Sequence, residues 1–182
     1  MQARHADIVW DNYYEIATQA LKAGCFTTSE TMFRAALEFS DRDEQVHLNE
    51  RAPHFARQAA CAHGLGLCLL ALERSQEAQS MLRKAVRLYL VVGTLDSRLV
   101  AQAALALADS YCAEQKISLA LPMLKSVCRA ITRKDGIDCD LLAELFTRVA
   151  AIYADHNYFD RAEKYLRRAL KLHKIGGDSR CV

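Results

Sequence analysis

The chain has 182 residues, 52% of them apolar, with a formal net charge of +2, seven cysteines, seven glycines and two prolines. That length can bury one sizeable core or two small ones, and the near-neutral charge directs bulk electrostatics at neither nucleic acid nor a membrane surface. No stretch reaches the roughly 18 uncharged apolar residues that a membrane span needs, and the opening MQARHADIVWDNYYE has acids and an amide where a secretory signal would need an unbroken apolar run. A soluble, cytoplasmic chain is expected. The cysteines at 25, 61, 68, 112, 128, 139 and 181 include no CxxC pair, a spacing that suits neither a disulfide framework nor a zinc finger and reads as buried free thiols in a reducing compartment.

Apolar residues recur at intervals of three and four, as in Leu65, Leu69, Leu72 or Val149, Ile152, Tyr153, and no segment alternates apolar and polar residues for long. This predicts an all-α fold. In chain order, a first helical hairpin carries Ile16, Ala17 and Ala20, a turn at Gly24, then Ser29, Phe33 and Ala36, with Thr27 and Glu30 at capping-box spacing. A polar insertion at about 41–53, DRDEQVHLNERAP, ends in Pro53, which suits the first turn of a helix. The second hairpin repeats the pattern 49 residues on with Leu65, Gly66, Leu69, Ala78, Leu82 and Ala85, turning at Arg74–Ser75. The third follows after 42 residues with Leu107, Ala108, Tyr111, Ala120, Leu124 and Val127, a turn signal at Ser118, and Pro122 near the start of its second helix. After a further 42 residues come Val149, Ala150, Tyr153, Ala162, Leu166 and Ala169, with a turn at HNYFD and a second capping-box pair, Asp160 and Glu163. The units span about 10–42, 59–92, 101–134 and 143–175 within a single domain, 1–182. Small residues at the second, fourth and sixth slots let antiparallel helices approach closely while the large residues fill the space between them.

These slots resemble the tetratricopeptide repeat (TPR), with its large residue, Leu, Gly or Ala, Tyr, then Ala, an aromatic or Leu, and Ala. The resemblance runs from about Trp10 to Lys174, and the 42-residue step is similar to the long variant of kinesin light chains and bacterial arrays. It implies a right-handed α-solenoid of four hairpins with a concave groove lined by the first helices. Carried over residue by residue, the groove positions are Asp11, Tyr14, Thr18 and Lys22, then His63, Leu67 and Leu70, then Gln102, Leu105, Asp109 and Cys112, and finally Glu144, Thr147, Ala151 and Asp155, flanked by Glu15 and Arg148. Five acidic side chains against two basic ones make this lining mildly acidic. The implied function is a non-catalytic protein–protein interaction module, an adaptor or scaffold, holding a basic or amphipathic peptide or helix in the groove.

The second helices carry the opposite charge, with thirteen Lys plus Arg against three Asp plus Glu over 76–92, 117–134 and 160–174. The alternative is therefore a structural subunit of a larger assembly, using its terminal helices and basic outer face. Nucleic acid is disfavoured because Tyr89 and Tyr165 fall among apolar slots and are not interleaved with the basic residues. Tyr165, Leu166, Ala169, Leu172 and Ile175 span more apolar surface than one preceding helix covers, which predicts a homodimer through the C-terminal unit.

No P-loop, GxGxxG, HExxH or GxSxG motif occurs. HGLGLC at 63–68 lacks a third glycine, and the loop through Asp41 and Asp43 has Val46 where a calcium loop needs glycine. Cys61 and Cys68 share a helix face, but His63 points about 200° away from Cys61, so core packing is expected here and a metal site is not. Neither an enzyme nor a cofactor is expected.

Overall fold

In the computed structural model, which describes residues 5–42, 51–92, 96–132 and 138–178, the described residues form helices joined by turns. The elements are α1 (His5–Lys22), α2 (Phe26–Arg42), α3 (Arg51–Ala71), α4 (Ser75–Val92), α5 (Ser97–Ala113), α6 (Ile117–Thr132), α7 (Cys139–Asp155) and α8 (Phe159–Asp178). They pair as successive hairpins and divide between two compact units, residues 1–95 and 96–182, each with two hairpins. Most of the polar insertion lies outside the described residues; its last three residues open α3, where Pro53 stands in the first turn.

One backbone device makes every hairpin turn. Gly24, Glu73, Gln115 and Asn157 all adopt positive φ, between 59° and 75°. They follow one another at 49, 42 and 42 residues, the register of the apolar slots. Around each, two reverse bonds close the first helix, for example Gln115 N–H to the Cys112 carbonyl and Lys116 N–H to the Tyr111 carbonyl. This is the Schellman arrangement, which satisfies carbonyls that the helix end would leave unpaired. The second helix then starts at once, its first bond running from Ala120 N–H to the Lys116 carbonyl, with equivalents at Ser29, Ala78 and Ala162.

Because the turn fixes that start, the two capping-box pairs do not form. Thr27 and Asp160 already lie inside α2 and α8, Glu30 pairs instead with Arg34 and Arg74, and Glu163 pairs with Arg167. Ser118 likewise sits inside α6 and the turn precedes it. Pro122 is the sixth residue of α6, just past the first turn, and forfeits one backbone bond on an exposed edge. The side-chain caps that do form are Asp96 on α5 and Asp138 on α7, again 42 residues apart, accepting from the Arg98 and Leu141 amides.

The repeat slots are the core. Ala17, Ser29, Phe33 and Ala36 are buried in the first hairpin, and Leu65, Leu69, Ala78, Leu82 and Ala85 in the second. Leu107, Ala108, Tyr111, Ala120, Leu124 and Val127 are buried in the third, and Val149, Ala150, Tyr153, Ala162 and Ala169 in the fourth. Fully burying a leucine of this kind is worth roughly 1.5–3 kcal/mol. Ser29 fills a slot that Ala holds in the other three hairpins; its hydroxyl is satisfied by donating to the Ala17 carbonyl at 2.7 Å and accepting from the Cys68 thiol. The fully apolar slots left exposed are Ile16 on α1 and Leu166 on α8.

Two glycines of α3 sit where there is no room for a side chain. A Cβ on Gly66 would meet Leu82 Cγ at 2.6 Å, and one on Gly64 would overlap the ring of Phe33 from α2. Gly64→Ala is therefore expected to destabilise the fold by roughly 1–3 kcal/mol through overpacking. Urea melts of the Gly64→Ala, Phe33→Leu and double variants check it: the smaller side chain makes room for the methyl, so the double variant loses less than the two single variants together. Additive losses would mean that the ring and the glycine are not in contact.

Candidate functional site

In the unit 96–182, the first-helix face is built from α5 and α7, held side by side and tied at their starts by Arg98 of α5 bonding the α7 cap Asp138 at 3.2 Å. Gln102 and Asp109 are exposed on α5, with Leu105 and Cys112 half-buried beside them. On α7, Glu144, Thr147 and Asp155 are exposed, and Arg148 and Ala151 half-buried. Two of the predicted residues meet, since the Arg148 guanidinium donates to the Asp109 carboxylate. Burial pushes the Cys112 thiol up, so it is protonated at neutral pH. Glu144 and Asp155 have no ion-pair partner among the described residues, so this face keeps a surplus of negative charge around the apolar Leu105 and Ala151.

In the unit 1–95, the structure divides the predicted residues. Asp11, Glu15 and Lys22 are exposed on α1, while Thr18 is half-buried and donates to the Glu15 carbonyl. Tyr14 is part of the packing: its ring stacks on Trp10 at 4.8 Å and meets the edge of Phe33 at 5.8 Å, and burial raises its pKa. Leu67 and Leu70 are half-buried, Leu70 against the core. His63 is only 8% exposed, edge-on to Tyr89 of α4, and desolvation lowers its pKa to about 4. It is a neutral core side chain.

A second feature was not singled out by sequence reasoning. A cleft of about 480 Å³ opens between α6 and α8 over α7, lined by Lys125, Cys128, Arg129, Thr132, Phe146, Tyr165 and Arg168. Its floor is aromatic, Phe146 and Tyr165 lying 5.8 Å apart with Tyr153 stacked on Tyr165 at 5.8 Å. Its rim is cationic: the Lys125 ammonium lies 5.0 Å from the Tyr153 ring centre and donates to the Tyr153 hydroxyl, and the Arg168 guanidinium lies 5.4 Å from that of Tyr165. The readable signal was the spacing of Lys125, Cys128, Arg129 and Thr132, one face of a helix. The partners across α7 and α8 are invisible to that spacing.

Several solved structures share this arrangement of hairpins. BtubC (BKLC) from P. vanneervenii superposes with a TM-score of 0.77 at 16% identity, over 97% of this chain and 68% of that one. A MamA RS-1 ArsTM double mutant gives 0.63 at 12% identity over 95% and 79% of the two chains, and another MamA structure gives 0.51 at 16% identity over 90% and 97%. The chain has a TPR-like fold. At these identities the likeness concerns the fold alone. No protein-family model and no curated protein matches the sequence. TPR-like folds are typically non-catalytic. Among the described residues no group of His, Cys, Asp or Glu could hold a metal ion, and no helix is long and apolar enough to cross a membrane.

In this TPR-like chain His63 makes stability depend on pH. Its folded pKa of about 4 lies below its ordinary 6.5, so between those values the unfolded chain holds a proton that the folded one refuses. The contribution is fully present above pH 6.5 and is lost as pH falls to 4, about 3 kcal/mol in all. Denaturant melts across this window should show His63→Leu with a shallower pH dependence than the parent chain. An identical slope would mean that His63 binds its proton equally well in the folded and unfolded chain.

Proposed function

We propose that the protein is a non-catalytic adaptor or scaffold of the cytoplasm, and that the α5–α7 face of its second unit receives a basic or amphipathic peptide segment. TPR-like folds support protein–protein interaction or scaffolding in general. The observation that carries the finer reading is the exposed pair Glu144 and Asp155 beside the apolar Leu105 and Ala151. Asp109 contributes less, because Arg148 already neutralises it. A random-peptide display library screened on the whole chain should enrich basic, amphipathic sequences. Glu144→Lys with Asp155→Lys should weaken the enriched peptides at least about tenfold, as charge reversal at an interface does, and leave helicity unchanged. Absence of basic sequences from the enriched set, or equal binding of them by the variant, would sink this reading.

A second reading rests on α8. Phe159, Leu166 and Leu170 lie along one stripe of that helix and are 64%, 44% and 61% exposed. Phe33 and Leu124, which occupy the slot of Leu166 in α2 and α6, are buried. We propose that two copies meet through this stripe; Leu172, half-buried, lies well round the helix from it. Light scattering under reducing conditions should then give a dimer that Leu166→Glu with Leu170→Glu converts to a monomer. A parent chain that is already monomeric at about tens of micromolar removes the proposal.

A further inference from the structure

We infer that the cleft between α6 and α8 is a second binding site, and that it takes an acidic protein segment carrying an aromatic or aliphatic side chain. The argument starts from charge. Lys125, Arg129 and Arg168 ring the opening and no carboxylate lines it. Neither arginine has a carboxylate at ion-pair distance among the described residues, so the rim holds two forked guanidinium groups able to grip carboxylates in pairs.

The floor supplies the second half of the recognition. Phe146 and Tyr165 are half-buried and offer apolar surface, and burial pushes the Cys128 thiol up to about 11, so the base of the cleft carries no charge at neutral pH. At about 480 Å³ the cleft is in the range of sites that enclose a small ligand or a few side chains. An extended segment can place one large apolar side chain on the floor while its neighbouring carboxylates reach the rim. A nucleic acid suits it less. The Tyr165 ring is already engaged by Tyr153, Lys125 and Arg168, which leaves poor purchase for the base stacking such ligands use.

The site does not depend on the α5–α7 reading. Phe146 is two residues from both Glu144 and Arg148, about 200° around α7, so variants of one face leave the other intact.

The test is fluorescence anisotropy on the full chain with a short fluorescein-labelled peptide of glutamates flanking two phenylalanines. Saturable binding is expected, weakened at least about tenfold by Arg129→Glu with Arg168→Glu, as loss of paired interfacial charges does. Both side chains are exposed, and circular dichroism verifies that the variant stays helical. Replacing the phenylalanines of the peptide by serine should weaken binding to the parent chain, and a single-stranded oligonucleotide of equal charge should not compete. Absence of binding, equal binding by the variant, equal binding of the serine peptide, or displacement by the oligonucleotide would each overturn the inference.

Discussion

Helices of this chain can approach one another only where one of them presents almost nothing. At Gly66 the space a methyl would need is taken by Leu82, and at Gly64 it is taken by Phe33. Ala78, Ala120 and Ala162 do the same service at one slot of successive hairpins and are essentially inaccessible to solvent. Close approach decides which flanks of each helix remain open, because the buried stripe is then set by contact with two neighbours at once. The first-helix face and the α6–α8 cleft are both edges left over by that packing. Where the small residue is a serine, as at Ser29, the close approach itself supplies the acceptor, the Ala17 carbonyl, so the polar substitution is tolerated without a buried unpaired hydroxyl.

The turns impose the second condition. Each reverses the chain in three residues around one left-handed residue, and each starts the next helix from the carbonyl that follows it. Glycine at position 24 adopts this conformation freely, and Asn157 tolerates it. Glu73 and Gln115 do not belong to the types that favour it, and each carries strain of about 1 kcal/mol or more. The reverse bonds to Leu70, Leu69, Cys112 and Tyr111 hold them there. Since the second helix begins at a fixed distance from the left-handed residue, the spacing between the slot of Tyr111 and that of Ala120 follows from the turn as much as from side-chain packing.

This explains what could be read from the sequence. Hairpins and their apolar slots were legible because a helix of fixed pitch maps a contact face onto intervals of three and four, and the repeat multiplies the signal. The left-handed residue of two turns was not, because Glu73 and Gln115 lack the glycine signature, while Thr27–Glu30 and Asp160–Glu163 imitate a cap that the Schellman turn makes unnecessary. On the candidate face, Asp109, Glu144 and Asp155 were identifiable as exposed helix positions. Tyr14 and His63 share the relative positions of groove residues yet are drawn into the aromatic packing by Trp10, Phe33 and Tyr89, contacts between helices that no interval in the sequence encodes. The cleft was illegible for the same reason: its cations come from two helices and its aromatic floor from α7 and α8.

Helix α7 presents two edges of different chemistry. Its buried stripe includes Leu142, Leu145, Val149, Ile152 and Tyr153. On one edge of that stripe stand Glu144, Arg148, Ala151 and Asp155, and on the other Phe146, which lies under the basic rim of the cleft. The acids and the basic rim are thus kept apart by a packed hydrophobic layer, and the fixed negative charge of one edge does not neutralise the cations of the other at contact distance. At physiological ionic strength charges separated by more than about 8 Å are largely screened from one another, so each edge presents its own sign to an approaching partner. Ligands of opposite charge, if the two proposed sites bind them, would not compete for the same side chains of these two hairpins.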